Sequence, residues 1–155
     1  MNTRFVATAT LVAGSLDIGS AILLTLARHG SVAAMLQGIA VGPFGDGAKH
    51  LGLAGPATGL LVHFGIMTAM VTAFALTADR APALLRQPLL AGAIYGVLLY
   101  LFMYWLVIPL RWGAETMTFS LNRTLIPIAI HIALVGWPIA LIIGLGQAAQ
   151  GATEA

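Results

Sequence analysis

The stretch FVATATLVAGSLDIGSAILLTLA, residues 5–27, decides the fold class: it is a long apolar run with a single carboxyl, Asp17, near its middle. At 1.5 Å per residue, a helix of this length crosses the roughly 30 Å of hydrocarbon in a bilayer. A secretory signal has a similar outline, with Arg4 ahead of an apolar core. Here Asp17 interrupts the core and no A-x-A site closes it, so the segment is expected to stay in place as a span. Leu53 to Ala78, Pro88 to Leu110 and Arg123 to Gly146 have the same length and apolarity. The expectation is an all-α integral membrane protein, with four transmembrane helices forming one domain over residues 1–155.

Composition agrees with that class. Hydrophobic residues make up 59% of the chain and charged residues 8%, far below the roughly 25% of soluble domains, and the mean hydropathy is +0.96. The lipid bilayer is therefore the expected partner. A formal net charge of +2 without a basic patch excludes a nucleic-acid-binding surface. The lack of cysteine excludes disulfides, thiolate metal sites and a cysteine nucleophile. No H-E-x-x-H, serine elbow or acidic pair is present, so hydrolytic catalysis is not expected.

Between the first two spans, Ser31 to Gly42 is apolar but only about 18 Å long as a helix, too short to cross. It reads as an interfacial or re-entrant helix over residues 31–42, capped by Ser31 and ended by the turn cluster Gly42-Pro-Phe-Gly-Asp-Gly47. A phosphate loop over Gly42 to Lys49 is excluded, because Ala48 separates Gly47 from Lys49 and no Ser or Thr follows. Pro109 is expected to close the third span, and Gln147 to Ala155 to fray. Arg4, Arg80 and Arg86 on one side nearly balance Arg28, Lys49, Arg111 and Arg123 on the other. The short loop holding Arg80 and Arg86 favours cytoplasmic termini.

Ionisable groups inside spans are costly and mark function or assembly. Counted from the same face of the membrane, Asp17, His63 and His131 all lie about 12 to 15 Å deep, the condition for one shared polar site. Leu11-Val-Ala-Gly-Ser-Leu-Asp17 also aligns with Leu89-Leu-Ala-Gly-Ala-Ile-Tyr95, and His63 with His131, as a two-span repeat would require. This adds Tyr95 to the candidate buried polar site. Asp17 is either a protonated carboxyl bonded to a neighbouring helix, a coupling or ligand group, or an oligomer contact. His63 and His131 are either neutral core histidines or ligands to haem iron or a metal. His63-x-x-x-Met67-x-x-Met70 places thioethers on the same helical face, a donor set that suits Cu(I).

Small residues predict close helix packing. Gly14 and Gly19 lie in a stripe around Asp17, Gly55-x-x-x-Gly59 leads to His63, and Gly92-x-x-x-Gly96 flanks Tyr95. Tyr100, Tyr104, Trp105 and Trp112 read as an interfacial aromatic belt.

The stretch Gln87-Pro-Leu-Leu-Ala-Gly-Ala-Ile-Tyr-Gly96, with Ile108-Pro109, His63 and Ile130-His131, resembles the YagU-like family of uncharacterised bacterial inner-membrane proteins. The resemblance spans roughly the last three transmembrane helices and does not reach Asp17. It implies a bacterial inner membrane and supplies no mechanism. From the residues, the expected protein is small and non-enzymatic, a homo-oligomer or a subunit of a larger membrane complex. Its buried Asp and His residues serve assembly or proton and cation coupling, with no cofactor. The alternative is a haem- or metal-binding redox protein using His63 and His131.

Overall fold

The computed structural model describes residues 2–117 and 120–154, and among them there is no strand. Helix α1 runs Thr3–Ala27, the short α2 Val32–Phe44, α3 Ala54–Arg80 and α4 Pro88–Trp112. Helix α5 is continuous through Leu121–Ile130, His131–Gly136 and Trp137–Glu154. All but α2 are long and apolar enough to cross a membrane.

Local chemistry sets the ends. The Asn2 side chain accepts from the Arg4 amide to open α1, and the Ser31 hydroxyl accepts from the Ala34 amide to open α2. Pro88 starts α4, where its missing N–H would have had no helical partner. Helix α2 continues two residues past Gly42, through Pro43, and stops at Gly45. The φ of +70° there is readily adopted only by glycine.

Two expected endings are corrected. Pro109 does not close α4, which continues to Trp112 and stops at Gly113 with φ +100°. The proline is accommodated because Phe102–Val107 is wound as a π-helix, with the Ile108 N–H donating to the Met103 carbonyl five residues back. A wide turn just ahead of a proline relieves the collision of its ring with the preceding turn. The same device recurs in α5, where the Trp137 N–H donates to the Ile132 carbonyl immediately before Pro138. The polar tail does not fray at Gln147 either: α5 runs to Glu154, and the Gln147 side chain donates to Asp79 Oδ1 at 3.0 Å.

Helix α1 packs between α3 and α5, α4 lies against α5, and α2 leans on α3. In lipid, burial alone gives little drive for helices to associate, and close van der Waals contact takes over. The core accordingly combines fully buried Ala9, Ala13, Ala75, Ala78 and Ala140 with Val71, Val135 and Ile139. Glycines bring the backbones closer still. A Cβ on Gly59 would collide with the Leu36 carbonyl, and one on Gly55 would lie 2.8 Å from the Gln37 amide. On Gly92 it would lie 2.6 Å from the Gly136 carbonyl, and on Gly96 it would strike the carbonyl of His131. Both G-x-x-x-G strips therefore join helices within the chain, α3 to α2 and α4 to α5. Gly14 admits the Phe64 ring, whereas Gly19 faces open space.

Candidate functional site

Helices α1, α3 and α5 each contribute one ionisable side chain to a cavity of about 230 Å³ lined by Asp17, His63 and His131. Met67, Met70 and Met103 share its walls, and α2 closes on it through Ile39.

His63 is oriented by α1. Its Nε2–H donates to the Gly14 carbonyl at 3.0 Å, which leaves Nδ1 as the nitrogen without a proton in the neutral ring. That atom lies 4.0 Å from Asp17 Oδ2, with the His63 side chain 10% and the Asp17 side chain 25% exposed. The gap is too long for a direct hydrogen bond, yet short enough that charge on either group acts on the other. Ser20 leaves the carboxylate alone, since its hydroxyl donates to the Asp17 backbone carbonyl at 2.7 Å.

His131 is oriented from within its own helix, its Nδ1–H donating to the Pro127 carbonyl at 2.9 Å. Its ring meets Tyr100 and Tyr104 edge-on, at centroid distances of 6.1 and 5.9 Å. Those two tyrosines stack on each other at 5.0 Å. Tyr100 is buried, so the belt reading is corrected for it, whereas Tyr104 lines the cavity and is also 38% exposed. Residue counting placed them near a membrane surface but could not tell which way they point. Their four-residue spacing, Tyr100 to Tyr104, was the available signal, since it puts two rings on one helical face.

Tyr95 does not line this cavity. Its hydroxyl donates to the Met70 carbonyl at 2.7 Å and its ring lies 5.0 Å from Phe74, so it joins α4 to α3. The structure also brings in a residue that sequence reasoning passed over. Arg111, in the last turn of α4, donates from Nε to the Gly42 carbonyl at 2.9 Å and from Nη2 to the Val41 carbonyl at 3.2 Å. It thereby caps the C-terminus of α2, where a cation is favoured.

Among the described residues, no group of three or more His, Asp or Glu is placed to hold a metal ion. Met67 and Met70 do line the same cavity as His63. Each imidazole gives one nitrogen to a backbone carbonyl and retains one lone pair. Comparison with known protein families, curated proteins and solved structures gives no match.

Proposed function

We propose that this chain is a small non-enzymatic protein of a bacterial inner membrane, a homo-oligomer or a subunit of a larger complex, in which Asp17 and His63 exchange a proton within the bilayer. The observation that carries the reading is the 4.0 Å separation of Asp17 Oδ2 and His63 Nδ1 in a cavity that His131 also lines. One proton serves both groups in either arrangement, carboxylic acid beside imidazole or carboxylate beside imidazolium. The Gly14 carbonyl holds Nε2–H in both, so the exchange needs only a swing of the carboxyl into hydrogen-bond reach of Nδ1, or a water bridging the gap, and no repacking of the helices. Ionisable groups that face an interior cavity at this depth are the usual parts of proton paths. The likeness of residues 87–96 to the YagU-like family supports the location, and the outward Ser15 and open Gly19 on α1 support association.

Infrared difference spectroscopy of the protein in lipid, recorded as the pH is stepped, tests the proton reading. A carboxyl stretch that changes with pH, disappears in Asp17→Asn and shifts in His63→Gln is the expected result. A spectrum without any pH-dependent band assignable to Asp17 overturns it.

A further inference from the structure

The cavity has an apolar neighbour. Ile39, Ile66, Met103 and Ile108 line both it and a second hollow of about 810 Å³ between α2, α3 and α4. This second hollow is apolar along Met35, Gly38, Val62 and Val107, and Lys49 and Arg111 stand where it reaches the helix ends. The two place a polar chamber beside an apolar groove, with Ile39, Ile66, Met103 and Ile108 between them.

The hydrogen-bond inventory of the chamber selects its ligand. The His63 side chain is nine-tenths buried, its Nε2–H is taken by the Gly14 carbonyl, and Nδ1 has only Asp17 nearby, beyond hydrogen-bond reach. His131 Nε2 likewise has no hydrogen-bond partner among the described residues once Nδ1–H is engaged. In the arrangement with the proton on Asp17 both nitrogens are acceptors, and a ligand bound to it must bring donors. Charge narrows the choice further. The Asp17–His63 pair has no net charge in either arrangement of its proton, which favours a neutral head, and Lys49 and Arg111 beside the groove are engaged by Asp46 and by the α2 carbonyls. A neutral head with hydroxyl donors and a long apolar tail satisfies both ends. The stacked Tyr100 and Tyr104 rings and the Met67, Met70 and Met103 thioethers suit a flat aromatic head.

We propose that the chamber and the groove beside it bind an isoprenoid quinol, its hydroxyls donating to His63 Nδ1 and His131 Nε2 and its tail lying between α2 and α4. The inference rests on the proton-exchange reading and names the ligand of that same site.

The test titrates the full-length protein in nanodiscs with decyl-ubiquinol, following tryptophan fluorescence in a Trp105→Phe, Trp137→Phe background that leaves Trp112, which lines the groove, as the reporter. Parallel titrations use oxidised decyl-ubiquinone, which has no hydroxyl donor on its ring, and decanol, which has one hydroxyl and no ring. Saturable binding of the quinol is expected, weaker for the quinone and for decanol. His63→Ala should weaken quinol binding about tenfold, the loss of one buried hydrogen bond. Gly38→Leu provides a second variant that leaves the polar groups untouched. A Cβ at Gly38 meets open space, so leucine fits the fold while filling the groove, and a comparable loss is expected. Failure of the quinol to saturate the Trp112-only protein overturns the inference, as does equal affinity for quinone or decanol, or indifference to both substitutions. The infrared signal of Asp17 is read without added ligand. An intact carboxyl response without quinol binding removes the quinol alone, and binding without that response removes the proton-exchange reading alone.

Discussion

At the scale of single residues, His63, His131 and Tyr95 fall into two kinds, told apart by where their hydrogen bonds go. His63 and His131 each satisfy one ring nitrogen on a backbone carbonyl and present the other as a free acceptor, whereas Tyr95 uses its hydroxyl to join α4 to α3. The distinction gives Tyr95→Phe a specific expectation. The variant loses one interhelical hydrogen bond, to a Met70 carbonyl in the middle of α3. Such bonds are worth about 0.6 kcal/mol on average within bilayers and about 1 kcal/mol in water. A loss of that size should lower Tm by only a few degrees at this chain length, and the infrared response of Asp17 should be unchanged because Tyr95 does not line the cavity. Thermal unfolding in detergent beside the infrared titration checks both halves, and a lost Asp17 response would return Tyr95 to the polar site. Counting residues along the helices put Asp17, His63 and His131 at one level, and the three line one cavity. The hydrogen bonds that fix the imidazole tautomers were not legible, since they depend on Gly14 lying opposite His63 and on Pro127 lying one turn before His131.

At the scale of elements, the apolar runs gave the spans and the caps gave the starts, but the interior winding of α4 and α5 was hidden. Each helix holds a π-helical stretch directly ahead of a proline, Phe102–Val107 before Pro109 and His131–Gly136 before Pro138. A π-turn takes in one extra residue, and one residue is worth about 100° of rotation around a helix. Faces read from an ideal 3.6-residue period are therefore wrong beyond such a turn. The prolines are the cause that substitution can reach. Pro138→Ala restores an N–H that can bond the Leu134 carbonyl and favours the tighter α-helical register, while the contact of Gly92 with Gly136 holds α5 in place. The expected compromise is a folded protein in which His131 turns relative to Tyr100 and Tyr104. NMR of the His131 ring reports this, because those two aromatic rings dominate its surroundings. Ring shifts identical to the wild type would show that packing against α4, and not the proline, maintains the wide turn.

At the scale of the whole molecule, the small-residue strips show what a sequence conveys about association and what it withholds. A G-x-x-x-G strip announces that a backbone will come close, but does not say whether that backbone belongs to the same chain. Gly55 and Gly59 accept α2, and Gly92 and Gly96 accept α5, so neither strip is left for a second copy. The strip that remains is on α1, where Ser15 is exposed and a Cβ at Gly19 meets nothing within 4 Å. Two leucine substitutions then have opposite meanings. Gly59→Leu would drive a side chain into the Leu36 carbonyl, separate α2 from α3 and destabilise each chain, so any loss of assembly would be secondary to misfolding. Gly19→Leu fits the isolated chain without a clash. If α1 meets a second copy through this strip, leucine there should weaken association with the unfolding midpoint of the dissociated chain unchanged, because the added volume separates two backbones across the interface. Native mass spectrometry from lipid nanodiscs, with thermal unfolding on the same preparations, reads the two effects separately. A Gly19→Leu protein that assembles as the wild type does would place the contact on another surface, and a wild type that is monomeric in lipid without co-purifying subunits would remove the assembly half of the proposed function while leaving the Asp17–His63 site standing.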